Sequence, residues 1–182
     1  MKKQSITKDI FIIEDFLTPQ ECDFHMKASE TIGYELAKVN MNGKQTIMTS
    51  VRNNQRVLMF DEEMAAEIWE KLAPFVDEYP VAKPIGLNEM WRYYKYVPGE
   101  RFKLHKDGSH RRSETEQSLF TLLIYLNDDF EGGATGFNRE FDIQPKKGTA
   151  IVFNHDIKHE GKPIIEGTKY VLRTDIMFQI TV

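Results

Sequence analysis

Cysteine is almost missing from this chain: Cys22 is the one thiol in 182 residues. No disulfide can form within the chain, and such a composition suits a reducing compartment such as the cytoplasm. A lone Cys is expected to be a small buried apolar side chain. Long hydrophobic runs are missing too. None approaches the roughly 20 residues of a membrane-spanning helix. The segment Met1-Lys2-Lys3-Gln4-Ser5 is basic, but the apolar stretch of a secretory signal does not follow it. The expectation is therefore a cytoplasmic chain with no membrane partner. Nor does charge of one sign dominate. The formal net charge is −4, which argues against a general nucleic-acid binder. Repeats, low-complexity segments and linkers are also lacking, so residues 1–182 read as a single domain.

What is present is the material of a core. Apolar residues make up 41% and aromatics 12% of the chain, as in globular proteins. Ile10 to Ile13 reads as a short strand. Thr18-Pro19-Gln20-Glu21 reads as an N-cap, a proline at N1 and a glutamate at N3, which predicts a helix running to about Gly33. Val51 to Phe60 reads as a loop and strand. A second helix is expected after Asp61, with Met64, Ala65, Ile68, Trp69 and Leu72 on one face and Pro74 near its end. Beyond Pro84 the pattern turns to strands: Asn88 to Val97, Arg101 to Lys106, Leu119 to Leu126, Thr149 to Phe153 and Thr168 to Val182. The fold class is α+β. Amino-terminal helices should pack on one sheet of a double-stranded β-helix (jelly-roll) core.

One short motif carries chemistry. In His105-Lys106-Asp107, residues i and i+2 point to the same side of an extended chain. A His and an Asp so placed can share one ion, and Gly108 lets the chain turn away behind them. A second His from a distant strand would complete a set of two imidazoles and one carboxylate. That set leaves adjacent coordination positions open and suits non-haem Fe(II), although Zn, Ni and Mn accept the same donors. Two candidates follow the apolar strand Ile151-Val152-Phe153: His155 and His159. The latter lies in a turn-rich stretch with Asn154, Asp156, Gly161 and Pro163. His25 and His110 read as ordinary surface or half-buried residues.

A second signal lies ten residues past His159. Lys169 opens the last long strand, and its face continues through Val171, Arg173 and Asp175. A cation facing a β-core is costly unless paired, and a bound carboxylate would pair it. Arg173 lies about 13 Å further along the strand, so the two do not grip one carboxylate together. One is expected to hold an anionic cosubstrate. The other pairs with an internal acid or reaches the main substrate. Tyr96 and Tyr125 are candidate neutral donors to the same ligand. The polar segment from Val51 to Arg56, with Arg92 and Tyr94, is a candidate for substrate contact, and residues 109–118 are a candidate lid.

Several stretches, in order, carry a resemblance. They are Tyr96-Val97-Pro98-Gly99-Glu100-Arg101-Phe102, His105-Lys106-Asp107, Leu123-Ile124-Tyr125-Leu126-Asn127, Phe130-Glu131-Gly132-Gly133-Ala134-Thr135, Pro145-Lys146-Lys147-Gly148-Thr149-Ala150, His159-Glu160-Gly161-Lys162-Pro163 and Gly167-Thr168-Lys169. Taken together the sequence resembles the Fe(II)- and 2-oxoglutarate-dependent dioxygenases, in their prolyl 4-hydroxylase-like branch, from about residue 88 onward. The resemblance implies iron on His105, Asp107 and His159, in preference to His155. It implies the distal carboxylate of 2-oxoglutarate on Lys169, with Tyr96 and Tyr125 as helpers. O2 is the implied oxidant, succinate and CO2 are products, and ascorbate is an accessory. Phe102 departs from the Tyr usual in that branch. The expected substrate is peptidyl proline; a free amino acid or small metabolite is the alternative enzyme substrate. A jelly roll that senses iron, oxygen or 2-oxoglutarate without turnover is the alternative of another class.

Overall fold

A computed structural model describes residues 1–41 and 44–181. Val182, at the end of the last expected strand, lies outside them. The chain opens with β1 (Lys2–Thr7) and β2 (Ile10–Glu14), then α1 (Pro19–Ile32). Three short strands follow, β3 (Glu35–Leu36), β4 (Val39–Met41) and β5 (Lys44–Thr46). Next come β6 (Gln55–Phe60), α2 (Glu62–Leu72), β7 (Ala82–Leu87), β8 (Met90–Tyr96) and β9 (Phe102–His105). The second half contains β10 (Glu116–Tyr125), β11 (Glu131–Gly132), β12 (Thr135–Phe137) and β13 (Phe141–Ile143). It ends with β14 (Ala150–Asn154), β15 (His159–Gly161), β16 (Ile164–Glu166) and β17 (Lys169–Ile180).

The helices begin where their caps dictate. Thr18 accepts from the Glu21 N–H at 3.2 Å, and the Glu21 carboxylate accepts from the Thr18 N–H at 2.7 Å. This reciprocal box fixes the start of α1 and is worth about 1 kcal/mol. Asp61 caps α2 by accepting from Met64 at 2.9 Å. Ala65, Ile68 and Leu72 are the buried stripe of α2, and Pro74 falls in a 3-10 turn that ends it.

Nine strands form one antiparallel sheet in the order β1-β2-β14-β10-β17-β8-β6-β3, with β7 beside the far half of β17. The two-residue period of its strands sorts side chains to two cores. Leu122, Ile124, Val152 and Leu172 point to one side and pack with Cys22, Ile68 and Leu72 of the helices. Tyr96, Tyr125, Ile151, Phe153 and Val171 point to the other, where they meet Phe137 and Ile164. A four-stranded sheet, β13-β12-β15-β9, covers that second side. Among the described residues the two sheets keep separate ladders and do not close into a barrel. The expected α+β architecture, with amino-terminal helices on one face of a β-core, is present.

Most strands that sequence patterning missed are short or polar; the exception is the six-residue β7, where Pro84 and Gly86 interrupt the apolar pattern. β1 is exposed along most of its length, so it has no apolar period to read. Strands β11 to β13, β15 and β16 have two or three residues each. Their existence depends on a partner strand and not on a local pattern.

One glycine joins helix to sheet. Gly148 has φ +78°, and a Cβ there would lie 2.2 Å from the Leu17 carbonyl oxygen. Its own carbonyl accepts from the N–H groups of Phe16 (2.9 Å) and Leu17 (3.0 Å). Gly148→Ala is therefore expected to destabilise the fold by about 2–4 kcal/mol, read as a lower denaturant midpoint at unchanged slope. A loss below about 0.5 kcal/mol would contradict this account of the junction.

Candidate metal centre

The small sheet brings the two histidines together. His159 on β15 is the direct cross-strand partner of His105 on β9, a pairing that sets side chains within reach of one another. Asp107 lies two residues past His105 in extended coil beyond the end of β9, not on a strand as the spacing argument assumed. It still faces the same side. Its Oδ1 is 3.7 Å from His105 Nε2, and its Oδ2 is 3.5 Å from His159 Nε2. One donor atom from each of the three lies within 4.8 Å of the others, and this is the sole such cluster of three or more among the described residues.

The tautomers are set from behind. His105 Nδ1 lies 2.8 Å from the Lys103 carbonyl and His159 Nδ1 lies 3.1 Å from that of Ile157. A carbonyl can only accept, so each Nδ1 carries the proton and each Nε2 presents a lone pair inward. Burial pushes the His159 imidazole down to about 4, against the pull of Asp107. Burial also acts to raise the Asp107 carboxyl. The Arg173 guanidinium and the two imidazoles outweigh it and hold the group well below the usual carboxylate range. Both shifts favour the forms that bind a cation: neutral imidazole and carboxylate. The donor set thus fits a divalent transition metal.

Arg173 and Thr121 fix the carboxylate. Arg173 Nη2 lies 3.1 Å from Asp107 Oδ2, and Thr121 Oγ1 donates to the same oxygen at 2.6 Å. Arg173 also pairs with Asp175 at 3.0 Å, the internal acid that strand parity anticipated. Phe102, where the resemblance departs, stacks on His105 with ring centroids 3.5 Å apart.

Lys169 occupies the deeper end of the same face. It is 3% exposed, and its Nζ donates to the Gly133 carbonyl at 2.5 Å. It makes no ion pair among the described residues. Burial alone lowers it to about 7. The rings of Tyr96 and Tyr125 lie 5.5 and 5.2 Å from the ammonium. Tyr125 Oη is 2.6 Å from Thr135 Oγ1, so its hydroxyl is already engaged within the protein. Tyr96, Lys169, Arg173 and the triad line one recess. A dicarboxylate reaching from the triad to Lys169 would meet the unpaired cation there.

Other residues sort differently from expectation. His155 is buried, with Nε2 3.8 Å from Asp175, and it is outside the triad. His25 is not at the surface or half-buried; it is 8% exposed and its Nδ1 lies 3.0 Å from Tyr93 Oη. Its helix face looks polar in sequence, and only the sheet packed against it supplies the burial. Thr121 and Thr135 went unrecognised as partners of site residues. The one signal for Thr121 was its shared parity with Leu123 and Tyr125. Arg52, Arg56, Arg92 and Tyr94 do converge, lining a cavity of about 740 Å³ with His105 and Asp107. Ser109 and His110 of the expected lid, with Gly108 just before it, also line this cavity.

Residues 91–174 match the family described as the 2OG-Fe(II) oxygenase superfamily. The chain is 24% identical over 162 residues to prolyl 4-hydroxylase 1 of Arabidopsis thaliana, a match covering 79% of this chain and 56% of that protein. It is 25% identical to a putative prolyl 4-hydroxylase of Acanthamoeba polyphaga mimivirus, covering 88% and 71%. Thus the chain spans 56% and 61% of the length of two Arabidopsis relatives it matches. The crystal structure of a viral collagen prolyl hydroxylase from Paramecium Bursaria Chlorella virus-1, a 2OG complex, aligns with TM-score 0.64 at 22% identity, covering 95% of this chain and 97% of that one. A Pseudomonas putida prolyl-4-hydroxylase aligns with TM-score 0.67 at 14% identity, covering 93% and 92%. These structural likenesses establish the shared fold. Among the described residues no helix is long and apolar enough to cross a membrane.

The buried ammonium gives a direct stability test. Lys169 holds a proton less tightly folded (about 7) than at its ordinary value of 10.5. Between those values the unfolded chain binds more protons, so stability rises with pH; below about 7 the whole penalty is present. Lys169→Met is therefore expected to stabilise the ligand-free protein by about 1–3 kcal/mol at neutral pH. The gain should shrink as pH climbs towards 10.5. Denaturant titrations at pH 6 and 10 check it, and an equal or larger gain at the higher pH would refute the assignment.

Proposed function

We propose that this chain, whose residues 91–174 match the 2OG-Fe(II) oxygenase superfamily, is an Fe(II)- and 2-oxoglutarate-dependent dioxygenase that hydroxylates an unactivated carbon, with peptidyl proline as the first candidate substrate. The observation that carries the reading is the pairing of a His105-Asp107-His159 cluster with a buried cation, Lys169, that meets no carboxylate among the described residues. Residues 1–182 are read as one catalytic unit. A single buried, free cysteine supports a reducing compartment such as the cytoplasm.

In this reading His105, Asp107 and His159 hold the iron. Bound there, iron supplies the O2 chemistry that converts 2-oxoglutarate to succinate and CO2 and places one oxygen atom in a substrate C–H bond. Lys169 pairs with the distal carboxylate of 2-oxoglutarate, which restores the charge that burial otherwise removes. Tyr96 walls that end of the recess, and Tyr125, with its ring 5.2 Å from the Lys169 ammonium and its hydroxyl tied to Thr135, stands behind the lysine. Arg173 is a positioning residue: it locks Asp107 in its ionised form and orientation through the contact at 3.1 Å. Phe102 and Phe153 pack on the imidazoles and exclude water from their outer faces. No protein base is required for such a step. The role of ascorbate here is that of an external reductant.

Succinate release from 2-oxoglutarate under air, with Fe(II) and ascorbate, tests the reading. His105→Ala and Asp107→Ala should lower turnover by about 100-fold or more, together with metal binding. Lys169→Ala should raise the 2-oxoglutarate requirement at least roughly tenfold while metal binding persists. Arg173→Ala should weaken the metal instead. If Arg173→Ala raises the cosubstrate requirement and Lys169→Ala does not, the roles of the two cations are reversed. Wild-type protein that makes no succinate with any candidate substrate would end the enzyme reading.

A further inference from the structure

The cavity outside the triad holds more buried positive charge than its own carboxylates balance. Arg173 pairs with Asp107 and Asp175, at 3.1 and 3.0 Å. Arg92 shares Asp175 at 3.2 Å, and Arg56 faces Glu35 at 3.9 Å. The remaining guanidinium, Arg52, is 5% exposed and forms no ion pair among the described residues. Lys38, which also lines the cavity, shares Glu35 at 4.0 Å, so among the described residues the cations outnumber the carboxylates beside them. An iron dication with a 2-oxoglutarate dianion is neutral, so loading the site leaves that excess in place.

Arg52 is also held ready. Its Nε donates to Asn54 Oδ1 at 2.7 Å. Its guanidinium carbon lies 4.3 Å from the Tyr94 ring centre and 4.4 Å from that of Phe102. Phe102 in turn stacks on His105, so Arg52 sits one aromatic ring away from a triad imidazole. Its Nη2 is buried with no hydrogen-bond partner among the described residues. A fixed, buried cation with an unused donor is costly unless a ligand completes it. The field of the cluster is visible at Tyr94. Burial acts to raise that phenol, yet Arg52, Arg173 and Arg92 bring it down to about 8.

We propose that the primary substrate carries a carboxylate and that Arg52 binds it in the cavity beside the triad. The inference rests on the dioxygenase reading for what happens next to that carboxylate, but not for its binding. A guanidinium matches a carboxylate in shape and charge, and a monoanion there would pair the one cavity arginine that meets no acid among the described residues. The carboxylate belongs to a free amino acid or to a short proline-containing peptide with a free acid group. The neutral prolyl ring expected as the oxidised group gives Arg52 nothing to bind, so specificity here lies in the acid beside it.

The test compares matched acids and primary amides. Free L-amino acids and short proline-containing peptides are each supplied in both forms. Two readouts are taken: binding to the metal-free protein by calorimetry, and succinate release with Fe(II) and saturating 2-oxoglutarate. At least one acid should bind and stimulate succinate release with roughly 30-fold or greater preference over its amide. Amino-acid and peptide arms show which source of carboxylate is used. Arg52→Met should bring acid and amide near parity, and Arg52→Lys should keep part of the preference. Wild-type protein that treats acids and amides alike, or binds neither, overturns the proposal, as does folded Arg52→Met protein that keeps the preference. If Arg52→Met does not fold, the wild-type comparison and Arg52→Lys decide. Absence of succinate in every arm removes the dioxygenase reading alone, since acid preference in calorimetry stands independently of turnover.

Discussion

The bridge that Arg173 makes between Asp107 and Asp175 is the contact on which the site depends. The Asp107 side chain is only 8% exposed, and a carboxylate so enclosed without a partner would take up a proton and cease to be a metal ligand. Arg173 prevents that at 3.1 Å, and Asp175 gives the enclosed guanidinium a second counter-charge at 3.0 Å. Thr121 donates to the same Oδ2 that meets Arg173 and lies near His159, which leaves Oδ1 towards His105. The result is a charged centre built before any ion arrives. Such preorganisation spares the cost of assembling ligands around the metal.

The same strand carries a cation left deliberately unbalanced at its other end. Arg173 and Lys169 share the inner face of β17, four residues apart. The first is paired with acids on both sides; the second touches a carbonyl and two aromatic rings. Burial depresses Lys169, while the neighbouring acids push Arg173 further towards permanent charge. Charge balance alone therefore separates a structural cation from one that awaits an anion. Arg52 repeats the second pattern in the outer cavity, with stacked rings in place of a carbonyl.

Much of this was legible locally. The capping box at Thr18, the α2 stripe and the long apolar strands are short-range patterns, and the chain obeys them. His105 and Asp107 were visible because two-residue spacing places groups on one side even where, as here, the strand ends first. The parity of Lys169, Val171, Arg173 and Asp175 gave their common face. What stayed hidden has one cause: it depends on which strand lies opposite. Thr121 meets Asp107 across 14 residues and Thr135 meets Tyr125 across ten, and nothing local marks either threonine. His25 reads locally as a surface or half-buried residue, and only the sheet behind it buries it.

The choice between His155 and His159 shows the division most clearly. Four residues apart and both beside an apolar strand, they are equivalent to a local reading of the chain. Amino-acid sequence by itself determined the residue types, their two-residue periodicity and the scarcity of cysteine and long apolar runs, because these are properties of neighbours along a chain. Tertiary structure decided that β15 pairs with β9 and so sets His159 opposite His105, while His155 turns towards Asp175. It also decided which cations are paired and which are left open, because charge balance is summed over groups that only folding brings within reach.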